Sequence, residues 1–143
     1  MCSSDLAGDR RAITGEEMAG HHEFMHGGCA GCHSGTYVGG RMFEKLGARQ
    51  PWPVTTDLGR IAVTKSEADR MVFKVPTLRN VEKTGPYFHD GGVATLDEAV
   101  RLMGRHQLNR TLDETQVRQI VAWLKTLTGE IPAAYIREPE LPR

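Results

Sequence analysis

Cys29-Ala30-Gly31-Cys32-His33 places two thiols three positions apart and an imidazole directly after the second. One turn of chain can present all three groups on one side. Two thiols at this separation can add across two vinyl groups on one edge of a flat porphyrin. The next residue can then direct an imidazole nitrogen at the iron from one face. Ala30 and Gly31 are small, which leaves room for the ring edge. CxxCH is the attachment signature of covalent c-type haem. Two other chemistries use CxxC. A thioredoxin-like redox pair belongs in a βαβ context, and no strand pattern here supplies one. Half of a zinc site needs a second Cys/His pair, for which His21, His22 and His26 are the candidates. They fall on or at the end of a predicted helix and read more simply as clustered surface histidines.

The sixth iron ligand decides what such a haem does. A methionine or histidine opposite His33 makes an electron carrier, whereas an open position makes a reactive iron. Met42, Met71 and Met103 follow the motif. A methionine is more often core filler than a ligand, and spacing alone does not choose among the three.

The elements that must position these groups announce themselves through caps. Thr14-Gly15-Glu16-Glu17 reads as a capping box opening a helix from Gly15 to about His26, stopped by Gly27-Gly28. Thr64 to Glu67 repeats the box ahead of a short helix to about Val72. Thr95 to Glu98 opens a helix ending near Gly104. Asp113 to Gln116 opens one running to about Thr128, with Gly129 as its stop. Along it Val117, Ile120, Val121, Leu124 and Leu127 share one face. Four capped helices without alternating strands predict an all-α fold of the cytochrome c type. The loops between them are long: residues 27–40 hold six of the 16 glycines, and Pro51 and Pro53 punctuate the next stretch. Such loops make sense where a large flat cofactor supplies the missing core.

Bulk properties narrow the partners. At 143 residues the chain suits one domain. Lys+Arg and Asp+Glu both number 18, which lacks the basic excess of a nucleic-acid binder. No apolar run approaches a membrane span. The expected partner is another protein or a small molecule. The expected organisation is an unstructured or non-native N-terminus at 1–13, a haem domain at 14–131 and an extended tail at 132–143. Residues 1–11 carry no apolar h-region, yet CxxCH haem attachment takes place outside the cytoplasm, so export to the periplasm is expected. One back-translation of Cys2-Ser3-Ser4-Asp5-Leu6 matches common sequencing adapter. The expectation is that the upstream sequence is missing and Cys2 is not native, with a short disordered terminus as the equal alternative.

Beyond these motifs, residues 14–131 resemble the C-terminal, electron-transfer domain of bacterial di-haem cytochrome c peroxidases. The carrying segments are CAGCH at 29–33, GGRMFEKLG at 39–47, FKVPTLRNVEKTGPYFHDGGVATLDEAVRLM at 73–103 and IVAWLKTLTGE at 120–130. The resemblance implies Met103 as the axial methionine, where the similar MauG-like proteins place a tyrosine. It implies calcium held in part by the backbone carbonyls of Thr84 and Pro86, oxygens that suit a hard cation. Arg79 and His89 lie in the same stretch as candidates to neutralise haem propionates, with a structural role in the loop as the equal alternative. Implied partners are an N-terminal peroxidatic haem domain, a small cytochrome or copper-protein donor and a second copy of the chain. The sequence departs from the family in having one CxxCH, and in His21 and Glu23 where leucines are expected. Gly20, Phe24 and Trp123 remain the expected contacts between the first and last helices. Three readings follow: the electron-entry part of a di-haem peroxidase, a stand-alone monohaem carrier, or an enzyme working at its single haem. Met103 argues against the third.

Overall fold

The computed structural model describes residues 12–130, so the expectations for 1–11 and 132–143 lie outside the described residues. The chain runs through helix α1 (Gly15–His26), a 3₁₀ turn (Cys29–Gly31), strand β1 (Phe43–Lys45) and helix α2 (Ile61–Thr64). A second 3₁₀ turn (Glu67–Asp69), strand β2 (Val72–Lys74) and a third turn (Val81–Lys83) lead to helices α3 (Leu96–Leu108) and α4 (Glu114–Lys125). No helix among the described residues is long and apolar enough to cross a membrane.

Two capping boxes form as the sequence predicts. The Glu17 amide donates to Thr14 Oγ1 at 3.3 Å, and the Thr14 amide donates to Glu17 Oε2 at 2.7 Å. The Gln116 amide donates to Asp113 Oδ1 at 2.8 Å, and the Asp113 amide donates to Gln116 Oε1 at 3.1 Å. Thr95 accepts from the Glu98 amide at 3.3 Å and opens α3.

Four expectations are corrected. Thr64 closes a helix instead of opening one: its hydroxyl donates to the Arg60 carbonyl, a back-bond at 3.3 Å, and Lys65 turns left-handed at φ 58°. Glu67 is drawn away to Arg70, which donates to it at 2.8 and 2.7 Å. Helix α3 continues a turn past Gly104 and stops at Asn109, which takes the left-handed cap at φ 54° and donates its amide to the Gly104 carbonyl; Gly104 instead leaves room for Leu112, whose nearest atoms a Cβ would meet at 3.0 Å. Helix α4 ends at Lys125, and Thr126, Leu127 and Thr128 make i→i−3 bonds that tighten its last turn. The fold is mostly helical but not all-α. Strands β1 and β2 pair antiparallel, Glu44 opposite Phe73, and three residues are too few to display a period of two.

Helices α1 and α4 cross at Gly20. A Cβ there would lie 1.8 Å from the Gln119 carbonyl oxygen, so only glycine lets the backbones approach this closely. Phe24 then packs against Trp123 with ring centroids 4.3 Å apart and planes inclined by 45°. His21 and Glu23 do not spoil this contact. The His21 ring tilts against Trp123 at 5.5 Å, and Glu23 accepts from Gln116 Nε2 at 3.2 Å beside Arg110. Gly20→Ala is expected to cost about 1–3 kcal/mol through overpacking, measured as a lowered denaturation midpoint against wild type.

Candidate haem site

The apolar interior is split. One buried cluster holds Phe24, Val81, Leu96, Val100, Ile120 and Leu124 among others, with Cys29 and Val38 packed against it. A second holds Leu46, Trp52 and Met71, flanked by Phe73, Phe88 and Met103. Between them lies a cavity of about 410 Å³ whose walls come from both clusters.

The end of α1 delivers the motif to this cavity. Gly28 takes φ 107°, a left-handed turn that reverses the chain directly before Cys29. The Cys29 carbonyl then accepts from the amides of both Cys32 (3.2 Å) and His33 (3.0 Å). Cys29, Cys32 and His33 all reach the cavity wall as a result. Arg110, from the α3–α4 connection, clamps the approach by donating to the Gly27 carbonyl at 2.8 Å.

Burial pushes the Cys29 thiol up, against the pull of the Arg110 charge; burial, helped by Glu44, raises Cys32 as well. Both cysteines are free thiols in a neutral state, the opposite of an activated redox pair. Burial holds His33 below the ordinary histidine range, opposed by the carbonyls of Pro76 and Val38 beside its ring. Its Nδ1 is buried between these carbonyls without a well-formed hydrogen bond. The imidazole is thus neutral, and Nε2 is the nitrogen left for a metal. Gly39 makes the approach possible. At φ 121°, a Cβ there would lie 2.1 Å from the Pro76 oxygen and 3.2 Å from His33 Nδ1.

Among the methionines after the motif, Met103 lines the cavity. Met71 is buried beside Leu46 and Trp52 instead, and Met42 precedes β1. The segment of α3 carrying Met103 is fastened to loop 45–50. Gln107 Oε1 accepts from the amides of Gly47 (2.7 Å) and Ala48 (3.0 Å), and its Nε2 donates to the Lys45 carbonyl at 3.0 Å. The His106 carbonyl accepts from Arg49 and Gln50 at 3.0 and 3.1 Å. Sequence reasoning missed Gly39, His106, Gln107 and Arg110. Their partners lie up to 83 positions away, and no local signal marks them.

Thr84 and Pro86 also line the cavity, at the turn after Val81–Lys83. Thr84 donates its hydroxyl to the Val81 carbonyl at 3.2 Å. His89 lines the cavity and stacks on Phe73 at 4.1 Å. Arg79 does not: its Nε donates to the Thr36 carbonyl at 3.2 Å, and its guanidinium sits over Tyr37. Among the described residues no three His, Cys, Asp or Glu side chains gather as a metal site, so the half-zinc reading finds no second pair.

This donor set fits a covalently held flat macrocycle: two neutral thiols on one turn, a neutral imidazole, an apolar slot and a thioether from the other cluster. No protein-family profile matches the chain. Curated proteins do. Cytochrome c551 peroxidase of Nitrosomonas europaea is 52% identical over 128 residues, covering 89% of this chain and 38% of that protein. This chain is a homologue of the bacterial cytochrome c peroxidases. Cytochrome c peroxidase of Escherichia coli is 45% identical over 87% of this chain, which spans 28% of that peroxidase. A crystal structure of a MauG-like protein associated with microbial copper homeostasis matches with a TM-score of 0.69 at 26% identity, covering 82% of this chain and 48% of that one. The chain therefore spans less than half the length of these peroxidase and MauG-like relatives, and the relationship implies haem c as its cofactor.

Gly39→Ala is expected to destabilise the protein by about 1–3 kcal/mol, since it combines a strained left-handed φ with a backbone clash. It should also lower the yield of haem-bearing protein, read as Soret absorbance per chain. Wild-type yield and stability would remove Gly39 from the support of His33.

Proposed function

We propose that this chain is the electron-entry haem domain, C-terminal in its family, of a di-haem cytochrome c peroxidase acting in the periplasm. Cys29 and Cys32 hold one haem c covalently, and His33 and Met103 bind its iron. When bound, haem supplies one-electron redox chemistry. The protein side chains do the rest. Cys29 and Cys32 fix one edge of the ring at the end of α1. His33 presents Nε2 from the wall built on Phe24, and the Pro76 and Val38 carbonyls orient its ring. Met103 offers its thioether from the opposing cluster, and the apolar walls keep water from the iron. The Cys29–Cys32 edge is where electrons from a small cytochrome or copper protein enter. His89, on the cavity wall, would be available to neutralise a propionate, whereas the geometry gives Arg79 a loop-tying role. The carbonyls of Thr84 and Pro86 contribute two oxygens to a calcium ion shared with the peroxidatic domain, which carries the second haem.

One observation carries this reading: the methionine lining the cavity belongs to the cluster facing the one that holds Cys29. Peroxide cleavage needs an open iron site with groups placed to move protons and stabilise the departing oxygen. With His33 and Met103 both holding the iron, no open site would be left for peroxide and the group would serve as a relay.

Met103→His should lower the reduction potential by on the order of 0.1 V, because thioether ligation favours the reduced iron. Met42→Leu and Met71→Leu should leave the spectrum unchanged. A spectrum and potential insensitive to Met103 would sink the ligand assignment.

Steady-state oxidation of a reduced cytochrome by hydrogen peroxide separates the domain roles. The isolated chain should exchange electrons with the donor, bind calcium weakly and show negligible turnover. Joined to an N-terminal haem domain it should support turnover dependent on Met103 and calcium. Robust turnover by the chain alone would make its own haem the catalytic one.

A further inference from the structure

The outward face of α1 carries an unusual set of side chains. Met18, His22, Met25 and His26 recur at the three- and four-residue intervals that share a helix face, and all four are exposed, Met18 at 53% and Met25 at 48%. A solvent-facing stripe of a helix normally carries charge, and this one carries none. The acidic residues of the helix are engaged elsewhere: Glu17 at the cap, Glu16 on Arg118, and Glu23 on Gln116. The His22 and His26 rings lie 4.4 Å apart, inclined by 39°. None of the four residues lines the haem cavity.

Two imidazoles four residues apart on a helix can reach one metal ion, the arrangement that HExxH helices use for zinc. Here Glu23 occupies the general-base position of that motif, but its carboxylate is turned to Gln116 Nε2 at 3.2 Å beside Arg110, and no third His, Cys, Asp or Glu joins the pair among the described residues. Any further donor is therefore water or a thioether, and two thioethers flank the pair on the same face. Thioethers select soft ions, and imidazole accepts copper in either oxidation state.

We propose that His22 and His26 form a surface copper site, with Met18 and Met25 on the same helix face biasing it towards Cu(I). The site is distinct from the haem cavity and binds its ion reversibly through neutral donors. Occupation ties two successive turns of α1 together and stabilises the folded chain by mass action.

The test uses the haem-loaded full chain carrying Cys2→Ser, so that Cys29, Cys32 and His33 are engaged and the Cys2 thiol cannot compete. Cu(I) is titrated anaerobically against a chromophoric chelator, and Zn²⁺ is titrated by calorimetry. A single Cu(I) per chain should bind, and His22→Gln with His26→Gln should weaken it by about tenfold or more. Met18→Leu with Met25→Leu should weaken Cu(I) while leaving Zn²⁺ affinity unchanged. The haem spectrum and far-ultraviolet circular dichroism of each variant check that the fold is intact. Cu(I) affinity unchanged in the histidine variant overturns the site. Cu(I) affinity unchanged in the methionine variant, or Zn²⁺ binding tighter than Cu(I), overturns the copper assignment.

Discussion

Everything in this fold depends on an apolar slot that the polypeptide does not fill. Protein interiors pack at the density of organic crystals. Here two buried clusters, one around Phe24 and Trp123 and one around Leu46 and Trp52, stand apart with a cavity between them. The lining of such a cavity forgoes dispersion contacts that a closely fitting group would supply. A flat macrocycle in the slot would turn two minor cores into one, and its covalent thioethers would prevent its loss. The long glycine-rich loops then become the edges of a binding cleft, with Gly28 and Gly39 placed where the chain must reverse or approach His33.

The parts of this arrangement visible in the sequence are local in origin. The boxes at Thr14 and Asp113 are legible because cap and partner sit three residues apart, and both hydrogen bonds form. The box at Thr64 fails for a reason that is local but two-sided. A threonine hydroxyl can bond forwards to an amide or backwards to a carbonyl, and Arg70 competes for Glu67. The strands are illegible because three residues show no alternation and because the pairing joins residues about thirty positions apart. CAGCH is legible because its chemistry fits within five residues. Met103 is marked only by the family resemblance and not by spacing, since three methionines follow the motif and what distinguishes it in the structure is that it lines the cavity.

The departures at His21 and Glu23 illustrate how a helix crossing tolerates polarity. The close approach is set by the absence of a side chain at Gly20, not by the size of its neighbours. Once the backbones touch, position 21 looks onto the face of Trp123 and position 23 onto Gln116 and Arg110. An imidazole can lie against an indole, and a carboxylate at the rim can take an amide proton with little desolvation. Arg110 in turn holds the Gly27 carbonyl, so Glu23 indirectly steadies the approach to Cys29.

The two walls of the slot are built from different materials. The wall bearing Cys29 and His33 rests on tightly packed apolar side chains, with Val117 and Ile120 almost fully enclosed. The wall bearing Met103 hangs on α3, whose far end is held to loop 45–50 largely by the hydrogen bonds of Gln107 and His106. Each such bond contributes about 0.5–1.5 kcal/mol net, and several are exposed to competing water. Apolar burial on the other side has no comparable competitor. The methionine wall thus relies on polar ties at the end of α3 together with the smaller apolar cluster of Leu46, Trp52 and Met71, while the histidine wall adjoins the larger one. In the proposed ligand set the thioether of Met103 would be the weaker of the two iron donors, so the wall with the smaller apolar cluster would also carry the more weakly held ligand.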